Sequence, residues 1–176
     1  MLDLETLDTR CTSAILSIGA CMMDFEKLAV VDRFYIIVDS KSCIEAGLTT
    51  SPSTEKWWSQ QSDEARRVFT DPNKVKLIDA LIEFTRWTRN TKATDGLEMW
   101  GNGSDFDNVI LINAFDKCGL EAPWKFFRNR CYRTYKSLYP EVKVDRVGTY
   151  HNALDDAITQ AETLFKCINK QRNRLA

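Results

Sequence analysis

The sequence is poor in the residues from which zinc sites are built. It contains a single histidine, His151, and its six cysteines include no C-x-x-C pair. Structural zinc sites need four cysteine or histidine ligands at short spacings, so this composition argues against one. No secretory signal is recognised, and we therefore expect free thiols and a cytoplasmic location.

Long apolar runs and a strong net charge are also missing. No stretch approaches the roughly 20 apolar residues of a membrane helix, so no membrane partner is expected. The net charge of −1 gives no overall attraction to polyanions. Since no repeat, linker or low-complexity tract interrupts the chain, residues 1–176 are predicted to form one domain with a packed core.

Hydrophobic periodicity predicts an α/β protein. Strands are predicted at 1–4, 14–23, 30–38 and 97–100; the second and third would form an antiparallel hairpin, with the third in a central position. Helices are predicted from residue 52 onwards and at 74–89, 107–117 and 152–170, with Ile78 and Ile82 on the buried side of the second helix. Strands followed by alternating helices and strands indicate a mixed sheet flanked by helices.

Two short motifs at opposite ends of the chain carry acids and the histidine. Asp3 lies in the first predicted strand and Glu5 directly follows its end; with the alternation of extended backbone, their side chains would share one face. His151 precedes Asp155 and Asp156 at the start of the last helix. Acidic oxygens are the ligands that Mg²⁺ prefers, and two such ions can clamp the attacking and leaving oxygens of a phosphodiester. The sequence therefore predicts a metal-dependent nuclease with a histidine base.

One segment combines cations with aromatic rings and has no acid. The segment runs from residue 124 to residue 136. Its cations are Lys125, Arg128, Arg130, Arg133 and Lys136, and its aromatic residues are Trp124, Phe126, Phe127, Tyr132 and Tyr135. This pattern is typical of a surface that binds single-stranded nucleic acid. A helix with a solvated basic face and a buried aromatic face explains it equally well, and both interpretations stay open.

Together the motifs resemble those of the DEDDh group of 3′→5′ exonucleases, the superfamily of ribonuclease T and of the proofreading subunits of DNA polymerases. The matching segments are D-L-E-T-L at 3–7, W-G-N-G-S-D-F-D-N at 100–108 and H-N-A-L-D-D-A at 151–157. The resemblance covers nearly the whole chain and implies a ribonuclease H-like fold. The G-N-G sequence and the Trp57-Trp58 pair are similar to a bacterial and phage subgroup of short exonucleases, of the exonuclease VIII-like or exoribonuclease kind.

The resemblance implies a role for each residue of the motifs. Asp3, Glu5 and Asp156 would hold the ion that activates water. Asp107 would support a second ion, with Asp3 between the two, and His151 would be the general base. The ions implied are two Mg²⁺, for which Mn²⁺ would substitute.

Two of these assignments have competitors. Asp105 and Asp107 lie in the same motif, and the family's aspartate directly follows the phenylalanine, which selects Asp107. Helix geometry leaves Asp155 and Asp156 equivalent, since both fall beside the apolar stripe on opposite sides. The family spacing of five residues from the histidine selects Asp156.

Substrate contacts are also implied by the resemblance. Thr6 and Leu7 would touch the 3′-terminal nucleotide, although Leu7 also suits a turn residue that packs on the core. Phe106 would also bind the substrate. Trp57 and Trp58 could stack on a base, but their side chains point about 100° apart, so we expect at least one of them to belong to the core. Arg133 would meet a phosphate or cap a helix.

These features predict a metal-dependent 3′→5′ exonuclease that releases nucleoside 5′-monophosphates from single-stranded 3′ ends. Whether the substrate is DNA or RNA stays open, because no residue that reads the 2′-hydroxyl is identified. The alternative is a catalytically silent module that binds nucleic acid or a partner protein. A homodimer is expected only because some members of the superfamily are dimers.

Overall fold

The computed structural model describes residues 1–90 and 96–175. Its strands are β1 (Leu2–Thr6), β2 (Ile15–Asp24), β3 (Ala29–Ile37), β4 (Met99–Gly101) and β5 (Asn129–Cys131). Its helices are α1 (Ser40–Glu45), α2 (Pro52–Trp58), α3 (Asp63–Arg66), α4 (Leu77–Asn90), α5 (Asp107–Lys117), α6 (Tyr132–Ser137) and α7 (Ala153–Leu175), with 3₁₀ turns at Arg67–Phe69 and Phe126–Arg128.

The strands form a mixed sheet arrangement with helices packed against it, as the sequence predicts. β1, β2 and β3 are antiparallel neighbours in that order, and β4 pairs with β5 in parallel. These are two separate hydrogen-bonded sheets, which meet where β4 contacts β1. β1 extends to Thr6, two residues beyond the predicted end, and Glu5 is therefore part of the strand.

The expectation that the third strand is central is wrong. Among the strands of the described residues, β3 borders only β2, and it is β2 that lies between two neighbours and is buried over most of its length. The middle of β3 is exposed, with Val31 at 54% and the charged Asp32 and Arg33 beside it. Charged residues at an edge strand discourage pairing with a second molecule, and Asp32 and Arg33 are suited to that position.

The second predicted helix begins later and buries a different face. α4 starts at Leu77, not at residue 74, and its buried residues include Leu81 and Phe84. Ile78 and Ile82 are 42% and 40% exposed. The buried stripe is therefore rotated by about one residue from the predicted one.

Helix α7 lies directly on the sheet and sets the position of the last motif. Its apolar stripe is buried as predicted, with Ala157, Ala161 and Leu164 fully inaccessible. A Cβ on Gly19, in β2, would lie 2.1 Å from the carbonyl carbon of Ala153. Glycine is thus required at position 19, because the first residue of α7 packs directly against it. None of the described helices combines the length and apolar character that a membrane span needs.

Candidate active site

The first two carboxylates come from β1, where pairing with β2 fixes the alternation. Asp3 lies opposite Gly19 and Glu5 opposite Ser17, so both acidic side chains leave the same face of the strand. Gln160 of α7 donates a hydrogen bond of 2.8 Å from Nε2 to Asp3 Oδ1. Helix α7 therefore contacts the acidic face of β1 at Asp3.

Asp107 joins this pair from the start of α5. As the first residue of the helix, its carboxylate interacts favourably with the helix N-terminus. Its Oδ1 accepts a hydrogen bond of 3.0 Å from the amide of Leu4, which lies between the two acids of β1. Asp107 is buried whereas Asp105 is exposed. The structure thus brings Asp107, and not its competitor, to β1.

The first turn of α7 separates the other two competitors. Asp156 accepts a hydrogen bond of 3.1 Å from the amide of His151 and forms an ion pair of 2.5 Å with Arg146. Asp155 points to the preceding loop, where its Oδ2 accepts a hydrogen bond of 2.7 Å from the Thr149 amide. Asp156 is therefore the aspartate that lies beside the histidine and the acids of β1.

The loop that carries the histidine is closely fitted to α7. Gly148 has a φ of +61°, and a Cβ there would lie 2.1 Å from Asp155 Oδ2. Asn152 caps the helix, accepting 3.1 Å hydrogen bonds from the amides of Leu154 and Asp155. His151 has a φ of +62°, which costs a non-glycine residue about 1 kcal/mol. Such strain persists only where surrounding contacts enforce it.

The imidazole of His151 lies between the acids and two tryptophans. Its ring centroid is 4.8 Å from that of Trp57 and 6.2 Å from that of Trp58, both in edge-to-face geometry. One ligand-type atom from each of His151, Glu5 and Asp156 lies within 4.8 Å of the others. The histidine therefore faces the carboxylates with an apolar wall behind it.

Three of the carboxylates, those of Asp3, Glu5 and Asp107, have raised pKa values. Burial raises the pKa of Glu5 to about 8, with the charges of Asp156 and Asp107 adding to the effect and Arg146 opposing it. Burial likewise raises the pKa of Asp107 to about 7. The pKa of Asp3 is well above its usual value because of burial and then the charges of the neighbouring acids. The site is thus short of positive charge.

A divalent cation fits this donor set. Carboxylate oxygens are hard ligands of the type that Mg²⁺ and Mn²⁺ bind, and several converge here from three separate elements. The raised pKa values reflect burial first and repulsion between the acids second, and a bound cation would offset both effects. Arg146 and Arg133 are the nearby cations that oppose the acidic charge, and they are fewer than the acids.

A cavity of about 400 Å³ opens beside Glu5. Its wall includes Thr6, Phe106, Trp57 and Trp58. Trp57 is 41% exposed, whereas Trp58 is buried and donates from Nε1 to the carbonyl of Thr6 at 2.9 Å. One tryptophan of the pair is thus a core residue, as the sequence predicts.

Leu7 and Arg133, two other predicted substrate contacts, do not line this cavity. The side chain of Leu7 is buried within the main hydrophobic cluster, which corresponds to the alternative of a core residue in a turn. Arg133 is exposed and donates from Nη2 to the carbonyl of Asn102 at 2.6 Å, close enough to Asp107 to lower its pKa. It therefore supports the loop before α5 and does not cap a helix.

Sequence reasoning missed Arg146 and Gln160. Gln160 follows Asp156 by four residues and so shares its helix face, which is a signal that helical periodicity could have supplied. Arg146 lies in an irregular loop, donates to Asp156 and to the carbonyl of Thr149, and covers the ring of Tyr150 at 3.9 Å. No spacing rule predicts these contacts.

Known proteins resemble this chain at the level of family and fold. The family model described as the 3′-5′ exoribonuclease Rv2179c-like domain matches residues 1–168. No curated protein matches. One similar solved structure is the nuclease domain of 3′hExo, a DEDDh family member, bound to rAMP: identity is 15%, TM-score 0.65, and coverage 96% of this chain and 90% of that one. Another is a full-length 3′-exonuclease, with 13% identity, TM-score 0.61, and coverage of 97% and 80%.

Proposed function

The chain belongs to the family of 3′-5′ exoribonuclease Rv2179c-like domains, and from this premise we propose that it trims single-stranded RNA from the 3′ end and releases nucleoside 5′-monophosphates. It is a 3′-5′ exonuclease of the ribonuclease H-like DEDDh fold, and its family implies dependence on a divalent metal. RNA is favoured over DNA by the family's description and by the rAMP bound to a protein of the same fold.

The observation that carries the proposal is the convergence of carboxylates and one histidine from distant parts of the chain. Asp3, Glu5, Asp107 and Asp156 would hold two divalent cations, Mg²⁺ or Mn²⁺. Such cations supply an activated water and neutralise charge that develops on the phosphate. Without them the acidic cluster would repel the backbone of RNA, which accounts for a metal requirement.

His151 is the proposed general base. Its imidazole would accept the proton of the attacking water, as a positioned histidine side chain does in general base catalysis. The hydrogen bond from its amide to Asp156 and the edge contact with Trp57 support this role, because they limit where the ring can move. No side-chain nucleophile is required, since water attacks the phosphorus directly.

The cavity beside Glu5 is the proposed site of the 3′-terminal nucleotide. Its volume of about 400 Å³ suits one small ligand. Trp57 would stack on the terminal base, with Phe106 and Thr6 as further contacts, and Arg133 would meet a phosphate. Since the cavity lies directly beside the acids, the bond cleaved would be the last one of the strand.

Digestion of 5′-labelled single-stranded RNA and of DNA with the same sequence tests this function. The rate on RNA should exceed that on DNA, and His151→Ala and Asp107→Asn should each lower it at least about 100-fold. Asp105→Asn is the matched control and should cut at close to the wild-type rate.

Either of two results would contradict the proposal. Equal losses in the Asp105 and Asp107 variants would remove the assignment of Asp107. Faster cleavage of DNA than of RNA would remove the assigned substrate.

A further inference from the structure

The structure divides the basic aromatic segment into buried and exposed rings. Trp124 and Tyr132 are 5% and 6% exposed and belong to the core. Phe126 and Phe127 are 75% and 63% exposed. Removing their apolar surface from water would be favourable. Two adjacent phenylalanines in this state mark an interaction surface.

The two exposed rings are held in place by buried anchors. They lie in the 3₁₀ turn Phe126–Arg128, which is closed by a 2.8 Å hydrogen bond from the Arg128 amide to the Lys125 carbonyl. Trp124, directly before the turn, donates from Nε1 to Asn129 Oδ1 at 2.8 Å, directly after it. The rings themselves are 5.5 Å apart and nearly perpendicular. A partner that binds here meets a surface that is already ordered, which lowers the entropy lost on binding.

The charge around the rings selects the kind of partner. The sequence has no acid between Glu121 and Glu141. Among residues 1–90 and 96–175, no carboxylate lies within ion-pair distance of Lys125 or Arg128. Unpaired cations beside exposed rings suit a strand with phosphates and bases better than an apolar protein surface.

The turn leads directly toward the candidate active site. It is followed by β5, whose last residue, Cys131, pairs with Gly101 at the end of β4. Arg133, two residues later, binds the carbonyl of Asn102 in the loop before Asp107. Phe127 and Cys131 are four residues apart, at most about 14 Å. A stacked strand crosses such a span in at most about four nucleotides.

We propose that Lys125, Phe126, Phe127 and Arg128 bind single-stranded RNA several nucleotides on the 5′ side of the cleaved end. The two rings stack on bases and the two cations contact phosphates. This inference rests on the proposed function and adds a length preference to it. A long strand reaches both the cavity beside Glu5 and this second surface, whereas a dinucleotide reaches only the cavity.

Steady-state kinetics with a dinucleotide and with a long RNA test the inference. The variant is Phe126→Ala/Phe127→Ala, and the matched control is Val31→Ala, which removes exposed apolar surface from β3, in the other sheet. The double variant should raise KM for the long RNA about tenfold, from lost stacking, and leave KM for the dinucleotide unchanged. The control should change neither value, and both proteins should unfold at the wild-type temperature.

A binding measurement separates this inference from the proposed function. Fluorescence anisotropy of labelled long RNA with His151→Ala protein, with and without the two phenylalanine substitutions, reports affinity even if no cleavage occurs. About tenfold weaker binding supports the second surface. Unchanged affinity overturns it, as does a loss of self-association in the double variant with unchanged affinity, which would assign the rings to an interface between copies of this chain.

Discussion

Arg146 supplies the positive charge beside Asp156, and its removal is expected to destabilise the metal-free protein. The two side chains are only 17% and 21% exposed. Removing one partner of a fully buried pair costs about 3–5 kcal/mol, whereas an exposed pair is worth about 0–1 kcal/mol. Since this pair is mostly but not wholly buried, we expect Arg146→Gln to lower the free energy of unfolding by about 2–3 kcal/mol.

Divalent metal should reduce this loss. In a chain of this length, about 2–3 kcal/mol lowers Tm by about 5–10 °C. Cations at the carboxylates would take over the charge compensation that Arg146 provides, so the difference in Tm should shrink in excess Mg²⁺. The contacts of Arg146 with the Thr149 carbonyl and the Tyr150 ring are not replaced, so part of the loss should remain.

Thermal unfolding in EDTA and in Mg²⁺ gives the comparison. The control is Arg66→Gln, which removes an exposed ion pair with Asp63 and should change Tm little in either buffer. An Arg146→Gln protein that loses the same Tm in both buffers would refute the idea that arginine and metal compensate the same charge. One that loses nothing in EDTA would refute the ion pair's contribution.

Three further results are expected. The folded pKa values of about 8 for Glu5 and about 7 for Asp107 exceed those of the unfolded chain. In EDTA the stability that these two groups contribute should therefore fall as pH rises from about 4.5 to 8. Glu5→Gln should make this fall less steep when Tm is measured over a pH series. Gln160→Leu should weaken Mn²⁺ binding about tenfold, measured by calorimetry, with little change of Tm in EDTA; unchanged affinity would contradict its support of Asp3. Gly19→Ala should cost about 3 kcal/mol in denaturant unfolding, whereas Gly96→Ala, with open space around it, should cost little.

Elements with a strong helical period were the most predictable part of the fold. α5 runs from Asp107 to Lys117 as predicted, and the stripe of α7 is buried as predicted. The position of β3 and the buried face of α4 were mispredicted. Local hydrophobicity does not determine the order of strands in a sheet or the side of a helix that packs on it. That depends on contacts between residues far apart in the chain, such as the approach of α7 to Gly19.

In the candidate site, too, local sequence predicted some residues, whereas others depend on contacts that only the folded chain makes. Spacing and family resemblance singled out Asp107 and Asp156, and the structure brings both to β1. Helix geometry alone left Asp155 and Asp156 equivalent; the difference between them arises from the loop, where the Thr149 amide binds Asp155. Arg146 could not be found because its partners are a carboxylate, a carbonyl and a ring brought together only by the folded loop.

The most direct test of the central claim is a time course of wild-type protein acting on 5′-labelled single-stranded RNA, in Mg²⁺ and in EDTA. A 3′-5′ exonuclease with a metal-binding carboxylate cluster should produce a ladder that shortens from the 3′ end in Mg²⁺ and nothing in EDTA. Equal cleavage in EDTA, or internal cuts without a ladder, would contradict it.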